Sequence, residues 1–383
     1  MKKRIISAVL CCTAMLLLTG TPVLSVEYPD IGPLPERKAP NPKAVELGKR
    51  LFFDARLSGD AGLSCATCHN SEQGFTKHTD DKGQPMQLSD AYPGSKHWRN
   101  APTMLNVVYK GKSFGWDGRL DDLDDMLRDM ITDSMNMNMD MQLLQERLKQ
   151  DTNVVALTKD AYGDKNMGTS QKGEMTHYVA RNAIVQFLET LTSKNVPFDK
   201  GQLSPKAKEG MALFKGKAGC IQCHNGAYFS DVKPHNSGVP ENPEVFKDAQ
   251  RHFTYVAYMM FMGVDDRLNW RRDVGYYTIS KDRQDVGKFV TPTLRELKYT
   301  GPYMHNGVFG TLDEVIEFYN SGGGEDRPGL KSPLLKPLNL TAGEKDALKE
   351  FLLSLSGDPI KFDMPKGGKI EYQPLPNWRE VRN

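Results

Sequence analysis

Two pentapeptides hold the plainest chemistry in the chain, Cys65-Ala66-Thr67-Cys68-His69 and Cys220-Ile221-Gln222-Cys223-His224. Each puts two thiols on one turn with an imidazole directly behind the second. That spacing suits thioether bonds to the two vinyl groups of one porphyrin, with the imidazole held under the iron as proximal ligand. A four-cysteine zinc site needs no histidine after each pair, and a dithiol enzyme needs only one pair. The motifs predict two covalent haem c groups, one held by Cys65, Cys68 and His69, the other by Cys220, Cys223 and His224.

The elements that must position these motifs look duplicated. Pro42-Lys43-Ala44, Glu46, Gly48 and Leu51-Phe52 precede the first motif; Pro205-Lys206-Ala207, Glu209, Gly210 and Leu213-Phe214 precede the second. A cap residue and a proline open a helix in both, at Asn41-Pro42 and Ser204-Pro205. The Leu-Phe pairs are expected to pack inward. The repeat predicts a duplicated domain with its boundary near Pro197 to Ser204, giving an N-terminal haem domain over 26–200 and a C-terminal haem domain with a tail over 201–383. Thr311 can cap a short helix with Leu312, Val315, Ile316 and Tyr319 on one face. Thr341 and Glu344 form a capping box for a last helix whose apolar face is Leu348, Phe351, Leu352 and Leu355, ended by Gly357. Strand signals are sparse, and Pro/Gly-rich loops are plentiful at 234–243 and 322–333. The expected fold is all-α, two cytochrome c-like haem domains with long loops, and an extended tail after Asp363.

The 383 residues suffice for two domains with buried cores. A hydrophobic share of 39%, a charged share of 26% and a net charge of +2 describe an ordinary soluble protein, with no argument for nucleic acid or a membrane surface as partner. Lys2, Lys3 and Arg4 precede an apolar run from Ile5 to Leu18 that is too short to span a bilayer, and small residues follow near Val23-Leu24-Ser25. Residues 1–25 therefore read as a signal peptide, which removes Cys11 and Cys12. The mature chain is expected to be periplasmic and without a membrane span. That compartment oxidises unprotected thiols, which haem attachment prevents.

Further strings follow in order: Arg99-Asn100-Ala101-Pro102-Thr103, Trp116-Asp117-Gly118-Arg119, Thr291-Pro292-Thr293-Leu294-Arg295, and Thr300 through Gly307. Together with the haem motifs, they resemble the bacterial di-haem cytochrome c peroxidase superfamily over nearly the whole mature chain. GPYMHNGVF and Phe318-Tyr319-Asn320 resemble its MauG branch. The resemblance implies that the N-terminal haem reacts with hydrogen peroxide and the C-terminal haem relays or stores an oxidising equivalent, with Trp116 between them. It also implies one Ca2+ between the haems, held by the Asn100 side chain and the carbonyls of Thr300 and Pro302, an oxygen set that suits a hard cation. Tyr319 falls where family peroxidases place a methionine as sixth ligand of the second haem and MauG a tyrosine. A phenolate favours ferric and higher-valent iron.

The distal pocket departs from the pattern. Where the family has Gln, Pro and Glu, this chain has Met126, Met130 and Asn136. Cleaving peroxide needs a group that moves a proton between its oxygens, and an asparagine cannot do so; Asp133, Asp129 or a water molecule are the candidate substitutes. Met126, Met130, Met135, Met137, Met139 and Met141 read as adaptable packing against the porphyrin in preference to a Cu(I) site or oxidisable guards. MauG's surface tryptophan corresponds to Ala218, which leaves Tyr228 or Trp270 as alternative exit routes. His78 and His97 read as solvated loop residues. His177, His235 and His252 carry no motif, and His305 receives no assigned role.

The expected function is a MauG-type oxidase that uses hydrogen peroxide to oxidise tryptophan or tyrosine side chains on an exported partner protein. One alternative is an ordinary di-haem cytochrome c peroxidase fed by a small cytochrome or cupredoxin. The other is a non-enzymatic electron carrier.

Overall fold

The computed structural model describes residues 28–361, apart from 81, 169–170 and 326–329. The expected signal peptide over 1–25, with Cys11 and Cys12, and the expected tail beyond Asp363 lie outside the described residues. Helices dominate: α1 Pro42–Phe52, α2 Cys65–Cys68, α3 Leu123–Thr132, α4 Met141–Lys149, α5 Thr152–Tyr162, α6 His177–Leu188, α7 Pro205–Lys215, α8 Pro243–Lys247, α9 Ala249–Phe261, α10 Tyr277–Ser280, α11 Leu312–Asn320 and α12 Ala342–Leu353. Among the described residues the strands amount to one antiparallel pair, β1 Pro234–His235 and β2 Phe289–Val290. The expected helical class is met, with this small sheet added.

The two predicted helix starts fold alike. Asn41 accepts from the Lys43 amide and Ser204 from the Ala207 amide, each with proline in the first turn. These bonds satisfy amides that a helix start otherwise leaves unpaired. α1 then packs on α6, and α7 on α12. Both crossings pass through a glycine: a Cβ at Gly48 would lie 1.8 Å from the Ala183 carbonyl oxygen, and one at Gly210 would lie 1.9 Å from that of Ala347. Only hydrogen fits at either point. The Leu-Phe prediction holds for Leu51, Phe52 and Phe214, while Leu213 is partly buried. Phe52 meets Phe75 at 6.1 Å and Phe187 at 5.3 Å, while Phe214 meets Phe229 at 6.1 Å and Phe351 at 5.2 Å.

The duplication continues where the letters no longer show it. Thr103 donates its hydroxyl to the Gly74 carbonyl and accepts from the Leu105 amide; Thr293 does the same with Tyr228 and Arg295. Next come two tight hairpins, closed by the bridges Phe114 to Leu120 and Tyr303 to Phe309. Their backbones turn left-handed at the same places, Gly115 and Met304 (φ 81° and 71°), then Gly118 and Gly307 (φ 70° and 64°). Three residues beyond each bridge a leucine opens a helix, α3 or α11. Asp122 and Thr311 cap these helices by accepting from the amides of Asp125 and Glu314.

Among the described residues three apolar clusters result. One gathers α1, α3 and α6 with buried Phe75, Met104, Met126, Met137 and Met139. The second gathers α7, α11 and α12 with Phe229 and the N-terminal Ile31. The third joins Leu88 and Trp98 from the loop after the first motif to Tyr255, Tyr258 and Met259 of α9. No described helix is long and apolar enough to cross a membrane.

Candidate functional site

Each attachment motif sits on one short turn, α2 for the first and a 3₁₀ turn over Cys220–Gln222 for the second. The four thiols are unpaired with one another. Burial pushes Cys65 and Cys220 up to about 12, far from the low values of a redox dithiol.

The histidine geometry is repeated. His69 Nδ1 lies 3.2 Å from the Phe75 carbonyl oxygen and His224 Nδ1 lies 3.1 Å from that of Phe229. A carbonyl only accepts, so Nδ1 carries the proton and Nε2 presents its lone pair, as a metal-binding histidine requires. Phe75 and Phe229 are non-glycine residues in the left-handed region, both at φ 56°. That uncommon backbone turns their carbonyls toward the imidazoles while their rings stay in the two cores. Burial lowers both histidine pKa values, which keeps the neutral ligating form. Thiols, tautomer and spacing fit covalent haem at both motifs.

Tyr319 projects from the last turn of α11. Its phenol lies near enough to Cys223 and Cys220 to feel their charge, while burial pushes it up to about 12. It therefore belongs to the surroundings of the second motif. Bound iron is the physical agent able to hold such a phenol ionised at neutral pH.

The two hairpins converge on Asn100. Trp116 donates its indole N–H to the Asn100 carbonyl at 2.8 Å, and the Asn100 amide donates to the His305 carbonyl at 2.6 Å. Asn100 is buried, with Nδ2 2.6 Å from the Pro302 carbonyl oxygen and Oδ1 lacking a partner. A buried, unsatisfied amide oxygen beside a carbonyl fits the donor set of a hard cation. Thr300 belongs to the same turn. His305 stacks on Phe289 at 3.6 Å, and its Nε2 is also buried without a partner.

Beside Trp116 lies a charged cluster that the sequence did not reveal. Arg99 joins Asp117 at 2.6 Å and Asp273 at 2.6 Å, Trp98 donates to Asp273 at 3.1 Å, and the Tyr258 hydroxyl donates to Asp117. Arg99 and Arg119 hold the Asp117 carboxyl below the usual carboxylate range despite its burial. Asp117 stood within a recognised string, but Tyr258 and Asp273 come from α9 and the segment after it, where no motif pointed to them.

The distal candidates are engaged in local structure. Asp133 accepts from the Met135 amide at 2.7 Å and from Asn136 Nδ2 at 2.9 Å, so both its oxygens brace the turn after α3. Asp129 forms a two-pronged pair with Arg119 at 2.9 and 2.5 Å, and burial raises its pKa. His78 and His97 are not solvated as expected. The loop bearing them is clamped between the halves, and burial lowers both, His97 to about 4 beside Arg251. His235 bonds Asp231 at 2.8 Å, close to Cys223, and that pair raises it to about 9. A cleft of about 980 Å³ opens along the seam, lined by Gln73, His78, Met86, Arg251, Tyr299 and Pro302 among others, with none of the attachment residues in its wall.

A family model described as di-haem cytochrome c peroxidase matches residues 42–206. Cytochrome-c peroxidase IdrP2 of Pseudomonas sp. (strain SCT) is 45% identical over 353 residues, covering 90% of this chain and 89% of its own. The chain belongs to the di-haem cytochrome c peroxidase family. Methylamine utilization protein MauG of Methylorubrum extorquens is 33% identical, with 89% of this chain and 84% of that protein covered. A solved MauG-like protein associated with microbial copper homeostasis superposes with a TM-score of 0.68 at 25% identity, covering 87% of this chain and 94% of that one. The diheme peroxidase BthA from Burkholderia thailandensis E264 gives 0.66 at 25% identity, covering 86% and 89%. Membership brings two c-type haems and makes the family member a peroxide-dependent oxidoreductase. The expectation of MauG-type partner oxidation is corrected in emphasis, because relatives named cytochrome-c peroxidase match more strongly than those named MauG.

Proposed function

We propose that this family member reduces hydrogen peroxide as a di-haem cytochrome c peroxidase in the periplasm, drawing electrons from a small exported cytochrome or cupredoxin. The observation that carries this reading is the 45% and 43% identity, along nearly the whole chain, to two proteins named cytochrome-c peroxidase. Bound haem supplies the iron at which peroxide is cleaved and electrons are stored. His69 and His224 would each hold one iron through Nε2, each imidazole oriented by its bond to a phenylalanine carbonyl. Trp116, fixed through its indole N–H, stands between the halves as the electronic bridge. Asn100 with the carbonyls of Thr300 and Pro302 would hold Ca2+, and Tyr319 would be the sixth ligand of the second haem. Residues 26–200 and 201–383 act as the peroxide-reacting and electron-transfer domains, after removal of a signal peptide over 1–25.

The phenol of Tyr319 beside Cys220 and Cys223 supports a second reading, in which aromatic side chains of a partner protein are oxidised as by MauG. One experiment separates the two. Peroxide is added to the haem-loaded protein with and without a pre-reduced small cytochrome c. Rapid catalytic oxidation of the cytochrome is expected. A long-lived oxidised state that ignores the cytochrome but modifies tryptophan on another protein would reverse the choice.

A further inference from the structure

The hairpin repeat gives an unforced register between the two halves. From Phe114 to Met130 and from Tyr303 to Tyr319 the chain runs without insertion or deletion. Bridge, left-handed turns, helix cap and first helical leucine all coincide. The fifth residue of each helix is buried, Leu127 at 6% and Ile316 at 4% exposure, so the helices present the same face to their cores. The eighth residue is Met130 in α3 and Tyr319 in α11. Met130 packs against the N-terminal cluster, as do Cys65 and Ala66 of the first motif.

We propose that Met130 is the sixth ligand of the first haem, its thioether taking the place that the Tyr319 phenol takes at the second. This rests on the reading of Tyr319 as a ligand given above. The chemistry is suitable: methionine with histidine is an established haem ligand pair, and the unbranched side chain is flexible. The buried methionines on and just after α3 are less well placed. Met126 corresponds to Val315, which carries no donor, while Met137 and Met139 follow the helix and have no counterpart in the register.

A thioether on the sixth position closes the first iron to peroxide until Met130 withdraws. The first site would therefore rest in a shut form, stabilised as ferrous iron, and open by movement of one flexible side chain. It also gives the departure at 126, 130 and 136 a single physical sense, since a pocket filled by its own ligand has no resting water or peroxide for an acid-base group to serve.

The test uses the haem-loaded full chain and two measurements. In the reduced protein labelled with methyl-carbon-13 methionine, one methyl resonance should be shifted strongly upfield by the porphyrin ring current and be lost in Met130→Leu but kept in Met126→Leu. Leucine nearly conserves volume, so folding is expected to survive, and the wild-type spectrum is informative without any variant. Cyanide binding to the ferric first haem should tighten about tenfold or more in Met130→Leu, as expected when the open form is a minor state of about 10% or less. Two haems per chain with no upfield methyl, or with cyanide affinity unchanged in Met130→Leu, would overturn the ligand alone. Fewer than two haems per chain would sink the functional reading and the ligand together.

Discussion

The N-terminal and C-terminal halves repeat a backbone while differing in charge. Asp117 and Asn306 occupy the same register position in the two hairpins. Asp117 is an ionised centre between Arg99 and Arg119, also bonded by Tyr258. Asn306 is neutral and donates to the Pro240 carbonyl at 2.8 Å. Likewise Trp116 corresponds to His305, and both clasp Asn100. Equivalent positions thus hold equivalent geometry, and the chemistry is varied on top of it. Charged side chains are concentrated on the first half's hairpin, and the second supplies carbonyls, a neutral amide and a buried imidazole.

The largest expected effect tests that asymmetry. Asp117→Asn should cost about 4 kcal/mol at pH 7, the scale for breaking a buried ion pair. Asp117 has a depressed pKa in the folded state. Its contribution is therefore complete above the unfolded carboxylate value, about pH 4, and is lost as pH falls through the folded value. Urea titrations at pH 7 and pH 3 should show the penalty shrinking in acid. Asn306→Ala should cost about 1–2 kcal/mol, equally at both pH values. A pH-independent loss at Asp117 would erase the proposed contrast.

Next in size are the helix crossings, where the halves should behave alike. Gly48→Ala and Gly210→Ala each drive a Cβ into a facing carbonyl, and each should cost about 3 kcal/mol by overpacking. Denaturation followed at the two haems separately would show whether each substitution loosens only its own half. A large difference between the two would break the equivalence of the α1–α6 and α7–α12 pairs. The smallest effect is at the caps: Asn41→Ala and Ser204→Ala should each cost about 1 kcal/mol in chemical denaturation. Tyr319→Phe sharpens the comparison spectroscopically, since it should change the absorption of the second haem and leave that of the first unaltered.

Much of this was legible in the letters. The two attachment motifs, the helix starts at 41–42 and 204–205, the cap at Thr311 and the box at Thr341 and Glu344 are local chemistry, fixed by spacing within a few residues, and each appears in the structure. The carbonyl partners of His69 and His224 were not legible, because they depend on left-handed backbone at phenylalanines, which no propensity favours. Neither was the hairpin repeat: of the seven residues from Phe114 to Leu120 and from Tyr303 to Phe309, only Gly118 and Gly307 agree. A positive φ can be met by Gly115 in one half and Met304 in the other, so the conformation outlasts the letters.

The sequence alone determined what is local: the two attachment motifs with the histidine behind each, the helix starts and the repeat that precedes each motif. Tertiary structure decided which distant groups share a charge or a register position, such as Arg99 with Asp117 and Asp273, or Met130 with the place of Tyr319. The reason is physical. A thioether or a cap needs partners a few residues apart, whereas burying charge or matching two halves requires packed elements whose separation along the chain carries no trace of their contact.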